Sequence, residues 1–383
     1  MGNLSRRDFL AHGASFGGCA TLFFSRQNSK EGTPDITGKK LEGIIPQLLI
    51  EHRVPGLQIA LVKNGRVSWS QGFGVKEIAT QKPVTSDTVF ELASLSKSTF
   101  AYAVLKLADK GLIELDAPLT RYLPEPFIPN EPRLLSITAR MILSHTSGLP
   151  HSRQGNRPLS LLFDPGKRFY YSPTGFDYLQ KVVCKISQQS LERLMKETVL
   201  DPFSMVNSNF GWQESFGMKR AIGYNSKGEP GETFNEKYRR ASEQWREALA
   251  RSNPELSYPS AAAGMYGTAG DFAHYLAEMV KSRETASAHL SEKLVKEMFT
   301  PQINITSDAS WGLGWGILHT RTDDAIWHWG NWTGLYQHIA VIFKKEKAGV
   351  VILTNSGNGL GLCKKLVPEA IGLDIKPIQR FFE

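Results

Sequence analysis

In the stretch FELASLSKSTFAYAVLKLADKG, Ala101 to Leu107 read as a buried helix, and Ser94-Leu95-Ser96-Lys97 stand at its head. Residues three apart share a helix face, which makes the Ser94 hydroxyl and the Lys97 amine neighbours at the first turn. Unpaired backbone N–H groups and the positive end of the helix dipole favour an anion there. A serine hydroxyl becomes a good nucleophile when a neighbour takes its proton, and a partly desolvated lysine loses its charge readily enough to be that neighbour. The spacing therefore reads as a nucleophile and its base. Read as structure alone, Ser94 or Ser96 caps the helix and Lys97 reaches solvent.

Two further stretches change the odds. PGKRFYYSPTGFDYL places Tyr171 just before a predicted helix, and WHWGNWTGLYQHIAVIF places His328-Trp329-Gly330 before a strand. Ser94-x-x-Lys97, Tyr171-Ser172 and His328-x-Gly330, in that order and rough separation, resemble the serine β-lactamases of the class C type, the D-alanyl-D-alanine carboxypeptidases and the β-lactamase-like esterases. HTSGLP at 145–150, AAAGMYGTAGDFAHYL at 261–276 and WGLGWGI at 311–317 agree, and the likeness covers about residues 40–371.

The resemblance implies an acyl-enzyme on Ser94, with Lys97 as its base and Tyr171 moving a proton between nucleophile and leaving group. His328 assists. It puts the oxyanion hole at the backbone N–H groups of Ser94 and Asn331. A phenol needs positive neighbours to work as a phenolate; Lys97 is one, and a protonated His328 would be another. Gly330 is expected to keep its strand open to substrate. Two departures bear on the substrate. Tyr171-Ser172-Pro173 stands where many relatives have Tyr-x-Asn, which removes an amide contact to a β-lactam side chain or a D-alanyl peptide. His328-Trp329-Gly330 stands in place of Lys-Thr-Gly, so Trp329 replaces a hydroxyl that would help bind a carboxylate, and the pocket should prefer a less anionic, more apolar ligand. Trp329 and Trp332 are expected to line that pocket, Trp311, Trp315 and Trp327 to pack, and His145 and Ser147 to fix a loop.

The elements that must position these groups form an α+β arrangement. KKLEGIIPQLLIEHR has helical periodicity. Two apolar runs then flank Asn64-Gly65, the strongest short hairpin signal. Near the other end LYQHIAVIF, a polar turn and VVILTNSG read as two antiparallel strands, followed by a helix from about Leu360 to Ile371. An antiparallel sheet built from both chain ends (about 39–93 and 300–375), flanked by helices, is thus expected, with a mostly helical region (about 100–290) inserted between. Within the insertion, residues 225–256 are polar and read as an exposed helix or one wall of a substrate cleft.

The N-terminal 30 residues read as an export signal of the twin-arginine type, with Arg6-Arg7 ahead of a mildly apolar stretch and a linker at 31–38. A periplasmic or secreted protein is expected. Cys19, after Phe16-Gly17-Gly18, is a weak match to a lipid-anchor site. The formal charge is +8, of which Arg6, Arg7, Arg26 and Lys30 against Asp8 supply a surplus of three. The rest is scattered without a basic, aromatic-interleaved stripe, which argues against nucleic acid and for at most attraction to an anionic cell envelope. Cys184 and Cys363 read as small buried hydrophobes rather than a metal pair, and the nine histidines show no His-Glu-x-x-His spacing. No metal and no cofactor is called for. The sequence points to an exported serine hydrolase of an ester or amide, small molecule or peptide, with a weakly catalytic penicillin-binding protein of the same fold as the alternative.

Overall fold

The computed structural model describes residues 36–153, 157–281, 290–320, 323–332 and 334–371. The export signal, Cys19 and most of the linker lie outside the described residues; residues 36–38, read above as linker, already belong to a helix. In chain order come α1 (Ile36–His52), β1 (Gly56–Lys63), β2 (Arg66–Glu77) and the short β3 (Lys82–Pro83). The middle holds β4 (Phe90–Glu91), α2 (Ser96–Asp109), α3 (Pro173–Ser187), β5 (Asn209–Phe210), α4 (Phe234–Arg240), α5 (Glu243–Ser252), β6 (Met265–Gly267) and α6 (Ala269–Val280). The last part supplies β7 (Ile303–Asn304), β8 (Ala309–Trp311), β9 (Gly316–Leu318), β10 (Ala325–Trp332), β11 (Tyr336–Phe343), β12 (Ala348–Thr354) and α7 (Gly359–Ile371). No described helix is long and apolar enough to cross a membrane.

Asn64 and Gly65 both have positive φ, +52° and +68°, as the two-residue turn between right-twisted strands requires. The main sheet runs β3-β2-β1-β12-β11-β10-β9-β8-β7. Strand β12 lies between β1 and β11, with Leu57 opposite Thr354 and Val62 opposite Gly349, so the two chain ends meet at the sheet's middle. The expected α+β class, an antiparallel sheet from both ends with helices around it, is the one observed.

Both faces of that sheet are covered. Leu57, Ile59, Leu61, Ile339, Val341, Val350 and Ile352 pack under Leu41, Ile45 and Leu49 of α1 and Leu362 and Leu366 of α7. The alternate residues Ala60, Val62, Ala340, Ile342, Val351 and Leu353 face the second core with Phe272 and Leu276 of α6. Period-two alternation buries every other side chain on each face, and each Leu or Ile so covered contributes about 1.5–3 kcal/mol. Helix α2 is buried from Ser96 through Leu105 and again at Leu107, a core helix apolar nearly all round. A second sheet, β4-β6-β5, sits beside its N-terminus.

The polar insertion resolves into two parts. Helix α5 has no buried residue and is the exposed helix. Helix α4 is anchored at its start: Thr233 Oγ1 and Asn235 Nδ2 donate to the buried Glu91 carboxylate at 2.9 and 3.1 Å, and Asn235 also donates to the Ala263 carbonyl. Cys184 on α3 and Cys363 on α7 are both free thiols.

Candidate active site

Ser94 lies in a single 3₁₀ turn, Ala93–Leu95, that leads directly into α2. Such a turn eclipses residues three apart. Lys97 Nζ accordingly lies 3.0 Å from Ser94 Oγ, and it also donates to the Ala262 carbonyl at 2.8 Å. Lys97 is 1% exposed, so the reading in which it reaches solvent does not hold. Ala93 carries φ +50°, a left-handed conformation that costs a non-glycine residue energy and sharpens the turn before the hydroxyl. Ser96 holds this turn: its Oγ donates to Ala93 O at 2.6 Å and accepts from Met265 N at 3.0 Å. Leu92 N donates to Met265 O, and β4 pairs with β6, so the turn is fastened to the segment that follows Ala262.

Tyr171 precedes α3, whose start is fixed by Ser172 capping Gly175 N at 3.0 Å and by Pro173 at the first helical position. The proline that displaces the family's amide thus serves the helix. His145 accepts from Ser172 N at 3.0 Å through Nδ1, and its ring packs on Tyr171 with centroids 4.3 Å apart. His145 holds the loop, as expected. The Tyr171 ring lies beneath the Lys97 amine, 5.0 Å from Nζ to centroid, and 5.1 Å from the Trp329 ring.

Burial sets the charges here. It brings Lys97 down to about 7, with the carboxylate of Asp177 pulling the other way. The Tyr171 phenol is pushed well above its ordinary value by burial, with the nearby Ser94 hydroxyl opposing the shift, although its oxygen makes no hydrogen bond of good geometry among the described residues. Tyr171 is therefore a phenol rather than a phenolate. His328 is held down to about 3 by burial and by the field of Lys97. At that value it is neutral at physiological pH, so it is not the second cation beside the tyrosine that a protonated His328 would have been. Its Nδ1 lies 2.8 Å from the Trp329 carbonyl, which only accepts, so Nδ1 carries the hydrogen and Nε2 the lone pair.

Strand β10 carries the remaining predicted residues. It pairs with β11 along its length but with β9 only from Ala325 to Trp327, leaving one edge of His328–Trp332 without a strand neighbour among the described residues. Gly330 also answers a steric need within the fold. A Cβ there would stand 2.6 Å from the Leu92 carbonyl oxygen, so glycine lets β10 press against the turn that bears Ser94. Asn331 is exposed, and its Oδ1 accepts from Gly334 N at 3.2 Å. Trp329 and Trp332 are both partly exposed. The fully buried Trp311 touches Tyr171, His145, His328 and Trp329 edge-on, with centroids 5.1 to 6.0 Å away. Ser94, Lys97, Tyr171, His328 and Trp329 are thus gathered at one place, against an aromatic wall.

The family model for beta-lactamase matches residues 41–363. The chain belongs to the beta-lactamase family. Within it, the chain is 28% identical over 367 residues to esterase EstB of Burkholderia gladioli, a match covering 83% of this chain and 90% of that protein. The octameric penicillin-binding protein homologue from Pyrococcus abyssi superposes with a TM-score of 0.68 at 24% identity, over 84% of this chain and 74% of that one. The D-alanine carboxypeptidase AmpC of Burkholderia cenocepacia gives 0.69 at 19% identity, over 86% and 98%. At these identities the two structural likenesses bear on the fold alone, which is the β-lactamase/transpeptidase-like one expected.

Three groups that the sequence did not single out also shape this beta-lactamase-family site. Asp177 on α3 is buried and accepts from Ser260 Oγ at 2.8 Å. The carbonyl of Ala262, in a stretch noted only for its likeness, takes the Lys97 amine. His338 donates from Nε2 to the Glu91 carbonyl and accepts from Thr354 N, steadying the strand that leads to Ser94. A lone carboxylate within the otherwise apolar run GFDYL was the available signal for Asp177.

Proposed function

We propose that this chain is a serine hydrolase that forms an acyl-enzyme on Ser94 and acts on carboxylic esters with an uncharged, apolar acyl group. The observation that carries the reading is the buried Lys97 amine, 3.0 Å from Ser94 Oγ with one N–H committed to the Ala262 carbonyl. A neutral amine so placed keeps its lone pair for the serine proton. Ser94 Oγ attacks the ester carbonyl as Lys97 takes that proton. Tyr171 then gives its proton to the leaving alkoxide and is recharged from Lys97, so the alcohol leaves with the tyrosine proton and the proton taken from Ser94 ends on Tyr171. Water repeats the sequence in reverse to release the acid. The backbone N–H groups of Ser94 and Asn331 are the proposed oxyanion donors.

The aromatic wall of Trp311, Trp329 and Tyr171 favours an ester over an anionic β-lactam or D-alanyl peptide. Lys97 is the only lysine or arginine whose charge is among the causes that lower His145 and His328. The similarity to an esterase points the same way. Export through the Arg6-Arg7 signal, to the periplasm or beyond, belongs to the same proposal, supported by the sequence motif.

The test is a panel of short-chain p-nitrophenyl esters, nitrocefin and D-alanyl peptides on the purified protein. Esters should rank first, and Ser94→Ala should lower kcat by at least about a thousandfold and abolish covalent labelling by a serine-reactive phosphonate. Unchanged turnover in that variant removes the assignment. A second reading, a binding protein that traps its acyl group, is favoured by one observation: a phenol held protonated is a poor base toward the deacylating water. An acyl adduct that persists for hours in mass spectrometry supports it; prompt turnover rejects it.

A further inference from the structure

Asp177 lies beyond the groups to which the mechanism assigns a step. It and Gln180 sit three apart on one face of α3, and both hold the turn at 259–262. Asp177 Oδ1 accepts from Ser260 Oγ at 2.8 Å, and the same Ser260 Oγ accepts from Ala262 N at 3.0 Å. Gln180 donates to Pro259 O at 2.8 Å and accepts from Ala261 N at 2.6 Å. The carbonyl of that same Ala262 receives the Lys97 amine at 2.8 Å. A continuous set of hydrogen bonds therefore runs from a buried carboxylate to the amine beside Ser94.

We propose that Asp177 is a positioning residue for Lys97: through the 259–262 turn and as its buried counter-charge, it fixes the amine against Ser94 and sets the pH at which that amine is free to accept a proton. The inference rests on the reading of Lys97 as the base. Around Lys97, Asp177 is the carboxylate whose field reaches the amine, and His145, His151 and His328 face it as groups that Lys97 itself drives toward neutrality. Burial lifts Asp177 itself to about 7; around it the Ser260 hydroxyl, Lys97 and Lys181 of the same helix favour its charged form, and Glu255 from the end of the insertion opposes it. Glu255 is itself paired with Arg153 at 2.7 Å. Asp177 favours the ammonium form of Lys97, so removing its charge makes the amine lose its proton at lower pH.

Asp177→Asn keeps an acceptor for Ser260 but removes the charge. The rate of phosphonate labelling at Ser94 and kcat/KM for a p-nitrophenyl ester are followed from about pH 5 to about pH 9. The acid limb of both profiles should move down by about one pH unit, with the plateau rate within a few-fold of the wild type. A residue that merely braced the turn would lower the plateau and leave the limb in place. An unmoved limb, or one moved upward, overturns the proposal. Ser260→Ala is the gentler companion: without its hydroxyl the carboxylate protonates more readily, and the limb shifts the same way by less. If Asp177→Asn does not fold, an unmoved limb in Ser260→Ala overturns the proposal equally. Failure of the underlying reading has a separate signature, turnover that survives Ser94→Ala, which no result at Asp177 can mimic.

Discussion

The Tyr171 hydroxyl is buried, makes no hydrogen bond of good geometry among the described residues and is kept protonated. A buried hydroxyl in that position costs about 1–3 kcal/mol, and its place against Ser94 and Lys97 is a functional reason to tolerate the cost. Tyr171→Phe should therefore keep the melting temperature or raise it by a few degrees, while kcat on an ester falls by about 10²–10⁴. Differential scanning calorimetry beside ester kinetics reads both; a variant that melts early in proportion to its lost activity would make the hydroxyl a structural group. At this scale the contact of Ser94 with Lys97 was legible, because a helix start converts a spacing of three into contact, whereas Tyr171 was reached only through the family resemblance. The neutrality of His328 was not legible, since it arises from burial by residues such as Trp311 that are distant in sequence. Asp177 escaped for the same reason: its meaning lies in the turn it holds, more than eighty residues further along the chain.

Strand β10 and the Ser94 turn meet as elements, and Gly330 is the point of closest approach. With the Leu92 carbonyl oxygen 2.6 Å from any Cβ at that position, Gly330→Ala must push the strand off the turn or bend both. Overpacking of this kind costs about 1–3 kcal/mol. The larger effect should be on chemistry, because the proposed oxyanion donors, Asn331 on the strand and Ser94 on the turn, flank this contact, and small displacements of paired donors weaken an oxyanion site steeply. The expected outcome is a lowered melting temperature and a phosphonate-labelling rate reduced by more than about tenfold; labelling at the wild-type rate would show that the strand and turn need not touch. The long elements were readable in advance: Asn64-Gly65 announced β1 and β2, and the paired apolar runs announced β11 and β12. Strands β4, β5 and β6 were not, because two or three residues carry no period and pair only through partners more than fifty positions away. The start of α4 was likewise hidden, its anchor being the buried Glu91 on a strand the sequence does not reveal.

On the scale of the whole molecule, the middle of the main sheet comes from the end of the chain. Strand β12 completes the sheet by pairing with β1, formed nearly three hundred residues earlier, and sequence patterning revealed strands at both ends without saying which would lie beside which. Asn355 secures that junction. Its Oδ1 accepts from Gly56 N at 2.9 Å, and its Nδ2 donates to the Val75 carbonyl at 3.2 Å, so one buried side chain ties β12 to both strands of the N-terminal hairpin. Asn355→Ala leaves the buried Gly56 N–H without its acceptor and takes a donor from the half-buried Val75 carbonyl, a cost of about 1–3 kcal/mol, which in a domain of this size lowers the melting temperature by roughly 2–8 °C. Asn355 has no hydrogen bond to Ser94, Lys97 or Tyr171, so the rate of phosphonate labelling well below the transition should match the wild type. Asn355→Asp separates the two halves of the latch: it keeps the acceptor for Gly56 and gives up the donor to Val75, and should melt between the other two proteins. If all three melt together, strand pairing alone joins the chain ends; if labelling falls with the melting temperature, the closure of the sheet also sets the geometry of the serine turn.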